Sequence, residues 1–183
     1  MAKIKNKEEL EYIKNALQYP IIGIDESYTR TGIAVTENGK LLYVDSIDFK
    51  KMKTKTEKRC AIRKALNSLI LNYKPKIIIC EKIRTFSQGF ISKSYISATG
   101  ALIATIVDIA FKHDVPVYSV DTRSWKSKVV GTSKHKTSNK KLETIEFIKN
   151  EFDFDVEGND DMADAICISL YPLKQGAILN RET

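Results

Sequence analysis

PIIGIDESYTRTGIAVTENGKLLYVDSI, residues 20–47, decides how the rest of the chain is read. Residues 20–26 alternate: Ile22 and Ile24 point to one side, Gly23 and Asp25 to the other, as in a strand with two unlike faces. The polar loop SYTRT leads into a second strand, Gly32 to Thr36. Asn38-Gly39 is a strong hairpin turn signal, and Lys40 to Ile47 forms a third strand. The segment is therefore a β-meander whose first strand ends on a carboxylate.

The elements that follow are of another kind. Residues 54–72 read as a basic amphipathic helix with Ile62, Leu66, Leu69 and Ile70 inward, closed by Pro75. KIIICE, 76–81, is a continuous apolar run, as expected of a strand buried on both faces, and it too ends on an acid, Glu81. A helix from Ser94 to His113 and a fifth strand, VPVYSVD at 115–121, come next. A short helical stretch around Trp125, a residue expected in the core, leads to the loop GTSKHKTSN. Two further helices span 139–150 and 160–173. The order βββαβαβαα predicts an α/β fold with a five-stranded mixed sheet flanked by helices, an antiparallel meander joined to parallel strands by helical crossovers. Residues 20–183 are expected to form one domain, and residues 1–19 an N-terminal helical extension with Leu10, Ile13 and Leu17 on one face.

The 183 residues, 43% of them hydrophobic, suffice for a single core. No apolar run is long enough for a membrane span, and the N-terminus lacks the apolar core of a signal peptide. An intracellular location is expected, in the cytoplasm or nucleoid, or in the host cytoplasm for a viral protein. Cys60, Cys80 and Cys167 form no zinc pattern and are expected to be buried thiols. The net charge of +7 and pI of about 9.2 point to a polyanionic partner, nucleic acid first.

Against that basic background, NDDMADAICISL, 159–170, opens an apolar helix with three carboxylates. Asp161 and Asp164, at i and i+3, share a helical face. Asp160 is expected to be the N-cap and no more. Sites in α/β sheets gather at the carboxyl ends of parallel strands, so Asp25 and Glu81 lie side by side if their strands are neighbours. The first turn of the last helix then completes the cluster. Four such carboxylates about 4–5 Å apart repel by roughly 3–4 kcal/mol per pair at an effective dielectric near 20. Hard divalent cations offset this repulsion. Two Mg²⁺ ions, with Mn²⁺ as a substitute, suit phosphodiester cleavage: one activates water and the other stabilises the leaving oxygen.

GID in the meander, an acid directly after a buried strand, and DMADA opening the last helix together resemble RuvC-like Holliday-junction resolvases of the RNase H-like superfamily, over roughly residues 20–173. SATGALIATI (97–106) is similar to the small-residue stretch of that family's central helix. VDTRSWKSKVVG (120–131) looks like its strand followed by a lysine and a VVG turn, and KKLETIEFI (140–148) like its basic lead into the next helix. The resemblance implies a metal-dependent, structure-specific endonuclease that acts as a homodimer on four-way DNA junctions during recombination or replication. It implies Asp25, Glu81, Asp161 and Asp164 as metal-binding catalytic acids and Lys126 as an active-site lysine, with a second at Lys140 or Lys141. An aromatic wedge after the glutamate falls on Phe86 or Phe90 of EKIRTFSQGF, with Arg84 nearby.

DNA contacts are expected from Arg84, Phe86, Lys128, Lys134, Lys136, Lys140 and Lys141. A second basic stretch runs from Lys50 to Lys64, and about half of these lysines are expected only to be solvated. Ser97, Gly100, Ala101, Ala104 and Asp108 form a small-residue stripe suited to the dimer contact or to tight packing on the chain's own sheet. Two other functions fit the same residues. One is an RNase H-like nuclease cutting RNA–DNA hybrids or flaps as a monomer; the other is a branched-DNA-binding protein without cleavage.

Overall fold

The computed structural model of the chain describes residues 7–82, 93–131, 140–174 and 179–182. The meander forms as expected. β1 (Ile21–Asp25), β2 (Arg30–Glu37) and β3 (Lys40–Asp48) pair antiparallel, and the turn residues Asn38 and Gly39 both have positive φ. β2 starts two residues earlier than Gly32, at Arg30, because pairing with Asp48 extends the ladder toward the loop. The continuous apolar run becomes β4 (Ile77–Glu81), parallel to β1, and β5 (Val117–Val120) is parallel to β4. A sixth strand, β6 (Asn180–Glu182), joins the five expected ones and pairs antiparallel with β5. The sheet order is β3-β2-β1-β4-β5-β6.

Helices cover both faces. α1 (Lys7–Ala16) precedes the sheet. α2 (Lys55–Tyr73) and α3 (Lys93–Lys112) are the long crossovers. α4 (Thr122–Trp125) runs into a π-helical turn, Lys126–Val130, and α5 (Lys140–Phe152) precedes α6 (Asp160–Leu170). One core lies between the sheet and α2/α3, built on Ile22, Ile24, Ile78, Leu66 and Ile106. The other lies beneath α5 and α6, built on Ile79, Tyr118, Trp125, Ile148 and Ile166. The expected inward residues of α2, Ile62, Leu66, Leu69 and Ile70, are all buried, and its start is fixed by a capping box between Thr54 and Glu57. Among the described residues, no helix is long and apolar enough to cross a membrane.

α1 has a clear packing role. Ile13 and Ala16 enter the α5/α6-side core, and the Tyr12 hydroxyl donates to the Lys76 carbonyl at 3.0 Å, pinning the helix to the start of β4. Leu10 lies outside the residues whose side chains are described.

Three local expectations are corrected. Cys80 and Cys167 are buried, but Cys60 is exposed, because it falls on the face of α2 opposite its buried positions. Lys58, within the basic stretch, is buried; its ammonium donates to the Tyr28 carbonyl at 2.9 Å and lies 3.4 Å from the centre of the Tyr28 ring. It anchors the β1–β2 loop and is not part of a solvated, phosphate-tracking surface. The N-cap of α6 is Asn159, not Asp160: Asn159 is extended, its side-chain oxygen accepts from the Met162 N–H at 3.3 Å, and its amide donates to Ser46. Asp160 is the first helical residue, where its charge complements the helix dipole. Asn159→Ala should therefore cost about 1 kcal/mol, read as a fall in the thermal midpoint, whereas Asp160→Ala should lose less and keep any activity.

On α3 the small-residue stripe faces away from the chain's own sheet. Ala98, Leu102, Ile106 and Ile109 are buried, while Ser97, Ala104 and Asp108 are exposed and Gly100 and Ala101 partly so. Phe111, 80% exposed, continues that outer face by two helical turns beyond Ala104.

Candidate active site

Strand alternation places the acids. β1 sends Ile22 and Ile24 to the α2/α3 core, so Gly23 and Asp25 face α6. β4 sends Ile77 and Ile79 to the α6 side, and Glu81 follows in the same alternation. Ile24 pairs with Cys80 in the parallel ladder, so Asp25 and Glu81 are the next residues along two adjacent strands.

α6 reaches this corner because two glycines let it lie directly on the sheet. A Cβ built on Gly23 would sit 2.4 Å from the Ala165 carbonyl oxygen. One on Gly32 would sit 2.0 Å from the Asp161 carbonyl oxygen. Gly32 is the antiparallel partner of Asp25. The first turn of α6 thus rests on the residue across from Asp25, and this contact carries Asp161 and Asp164 to it. The apolar body of α6, from Ala165 to Leu170, is buried throughout and anchors that turn.

The four acids feel one another. Burial first, then the negative charges of Glu81, Asp164 and Asp161, hold the Asp25 carboxyl well above the usual range, and Lys126 pulls it down. Burial pushes Asp164 up to about 6 against the pull of Lys126 and a hydrogen bond with Thr144. This is a site short of positive charge.

Each acid also has specific partners. Glu81 accepts from the Thr122 hydroxyl at 2.5 Å and from the Trp125 indole N–H at 3.0 Å. Lys126 Nζ lies 3.3 Å from Asp164 and stacks 4.9 Å from the centre of the Trp125 ring. Arg30 Nε lies 3.5 Å from Asp161. Glu26, next to Asp25, is itself buried; its carboxylate accepts from the Glu81 backbone N–H at 3.2 Å, tying the ends of β1 and β4 together. Burial raises the Glu26 carboxyl well above its usual value, and the Asp25 charge adds to this.

Among the described residues, no three Asp, Glu, His or Cys side chains converge closely enough to enclose an ion. The expected ligands are turned to other partners: Glu81 to Thr122 and Trp125, Asp164 to Lys126, and Asp161 to Arg30. The donor set still fits a hard divalent cation. It is all carboxylate oxygen, and the mutual repulsion that raises Asp25 is what such an ion relieves.

Of the other expected residues, Lys126 stands in the cluster and Lys128 is exposed on the adjoining π-helical turn. Such turns in a helix are frequent at functional sites. Lys140 and Lys141 open α5, with side chains outside the description. Arg84, Phe86, Phe90, Lys134 and Lys136 lie outside the described residues.

Sequence reading missed Arg30, Glu26, Thr122 and Trp125 as site residues. For the last two a signal existed: they follow β5, which lies beside β4, so TRSW leaves the sheet next to Glu81. Arg30 and Glu26 had none, since they stand at the two ends of a polar connection whose composition does not reveal which side chain turns inward.

Comparison of the fold defines the class. The architecture is RuvC-like. It matches Thermus thermophilus RuvC in complex with Holliday junction substrate with a TM-score of 0.70 and 18% identity, over 90% of this chain and 99% of that one. A further Thermus thermophilus RuvC structure gives 0.68 and 18%, over 89% and 99%. The yeast mitochondrial Holliday junction resolvase Ydc2 gives 0.54 and 16%, over 90% and 83%. The chain belongs to the DUF3882 family, described as Lactococcus phage M3 protein, whose sequence pattern matches residues 18–174. Among curated proteins, comparison finds no match.

Proposed function

We propose that the chain is a divalent-metal-dependent, structure-specific endonuclease that resolves four-way DNA junctions by paired phosphodiester cleavage, working as a homodimer. The observation that supports this reading is that Asp25 and Glu81 end two adjacent parallel strands while the start of α6, which bears Asp161 and Asp164, rests on the pairing partner of Asp25, with Lys126 set against Asp164. The four acids would hold the cations. Bound there, Mg²⁺ or Mn²⁺ supplies an acidified water and charge stabilisation at the leaving oxygen.

The rest of the work falls to the chain's own groups. Trp125 and Thr122 fix the rotamer of Glu81, and Glu26 holds the backbone beneath it. Lys126 offers its ammonium to the scissile phosphate, and Lys128, Lys134, Lys136, Lys140, Lys141 and Arg84 track the phosphates of the duplex arms. Phe86 or Phe90 would supply the wedge that opens the junction. Residues 20–183 act as one nuclease domain that the 1–19 extension braces. In a phage-family protein the work would be done in the cytoplasm of the host. The matched structures, a RuvC in complex with Holliday junction substrate and a mitochondrial Holliday junction resolvase, support this class of substrate.

Two symmetric nicks require two sites facing one junction, and the outward stripe of α3 offers a self-complementary face. Gly100→Leu should weaken the dimer, read by sedimentation as a monomer fraction at concentrations where the unmodified protein is dimeric. A monomeric unmodified protein that still cuts junctions would remove the dimer from the proposal. The test of the whole reading is cleavage of a labelled four-way junction in Mg²⁺, beside an RNA–DNA hybrid duplex and a flap. Paired nicks in the junction alone support it. Cleavage of the hybrid or flap in preference favours a monomeric RNase H-like nuclease, and tight junction binding without cleavage favours a branched-DNA-binding protein.

A further inference from the structure

Arg30 is the first residue of β2, two residues before the glycine on which α6 rests. Its Nε lies 3.5 Å from Asp161 Oδ2, and its side chain is 31% exposed. Lys126 makes the equivalent couple with Asp164 at 3.3 Å. Asp161 and Asp164, the two candidate ligands on α6, therefore each have a cation against them, and the two cations come from different elements. A cation in that position occupies carboxylate lone pairs and repels an approaching divalent ion. A guanidinium differs from an ammonium in one respect that matters here: its planar, forked donors match a phosphate as well as a carboxylate.

We infer that Arg30 is a DNA-phosphate ligand held in reserve: Asp161 keeps it in the metal-free protein and releases it to the substrate when Asp161 turns to a divalent cation. The inference rests on the nuclease reading above. It assigns Arg30 a task that Lys126 does not cover, since Arg30 stands on the meander side of the cluster and Lys126 on the β5 side. The two cations thus bracket the acids, and a phosphate drawn to the site meets one on each side. A purely structural Arg30 would do something else, clamping the first turn of α6 in place alongside the Asn159 cap. The two roles have opposite consequences for metal affinity. Removing a competitor tightens metal binding, whereas removing a clamp loosens the Asp161 turn and weakens it.

The experiment uses the full chain as Arg30→Met and Arg30→Lys, each checked by thermal melting. Mn²⁺ is titrated by calorimetry without DNA, and four-way junction binding is measured in Ca²⁺ and in chelator. Arg30→Met should bind Mn²⁺ about two- to fivefold more tightly, the scale of a partly exposed ion pair. Its junction affinity should fall in Ca²⁺, with the salt slope lower by about one, and stay unchanged in chelator. Arg30→Lys, charged but unforked, should fall between Met and the unmodified protein in Ca²⁺, and it carries the test if the Met variant does not fold. Weaker Mn²⁺ binding overturns the inference in favour of the clamp. An equal loss of junction affinity with and without Ca²⁺ overturns it in favour of a permanent phosphate contact. An unmodified protein that neither binds Mn²⁺ nor cuts junctions overturns the nuclease reading itself, which separates that failure from this one.

Discussion

Asp25→Asn, Glu81→Gln and Asp164→Asn should each abolish junction cleavage, by about 10³-fold or more, while junction affinity holds or rises. The reason is electrostatic. In the proposed nuclease these acids would face a phosphate, and only the cations they would hold make the site attractive to it. Removing a carboxylate removes the chemistry and one unit of repulsion together. Asp25→Asn should also raise the thermal midpoint of the metal-free protein, because the charge it deletes is one that burial and three neighbouring carboxylates oppose. Lys126→Ala should behave differently, with cleavage impaired more than binding. Junction binding in Ca²⁺, cleavage in Mg²⁺ and a melting curve in chelator would be measured for each folded variant. Joint loss of binding and cleavage across the acid set would make the carboxylates structural and end the metal-nuclease reading.

Gly32→Ala should be as damaging as the loss of an acid, although it removes no functional group. The added methyl carbon would sit 2.0 Å from the Asp161 carbonyl oxygen and 2.4 Å from its carbonyl carbon. Both are backbone atoms that cannot rotate away. Either the first turn of α6 lifts or β2 bends, and both separate Asp161 and Asp164 from Asp25, the pairing partner of Gly32. We expect destabilisation of about 3 kcal/mol, the upper range for overpacking, seen as a fall of roughly 6–12 °C in the thermal midpoint of a chain this size. Cleavage should be lost even at temperatures where the variant remains folded. A Gly32→Ala protein with unmodified stability and activity would show that α6 does not press on β2 as described.

The fold was legible wherever periodicity was strong. The alternation of Ile22 and Ile24 against Gly23 and Asp25 assigned Asp25 to its face, and the unbroken IIIC run identified β4 as a strand covered on both sides. The last strand, Asn180–Glu182, has no apolar pattern and exists only because β5 leaves an open edge. Helix α6 was read correctly but capped one residue late, since Asn159 and Asp160 are both good caps and only the backbone decides between them. The site was legible in its acids, which end apolar segments, and in Lys126. Its supporting groups were not: the indole N–H of Trp125 is invisible in a residue whose ring is core, and Arg30 and Glu26 flank the β1–β2 loop, where the tertiary fold decides which side chains turn inward.

The Trp125–Glu81 hydrogen bond has an optical consequence. The chain contains a single tryptophan. Its indole nitrogen touches a proposed catalytic acid, and a proposed catalytic lysine lies over its ring. The whole of the indole emission therefore originates within contact of the acid cluster, with no second fluorophore of its kind to dilute it. Any event that rotates Glu81 or withdraws Lys126 changes the field on that one ring, so occupancy of the cluster can be followed by fluorescence in the unlabelled protein.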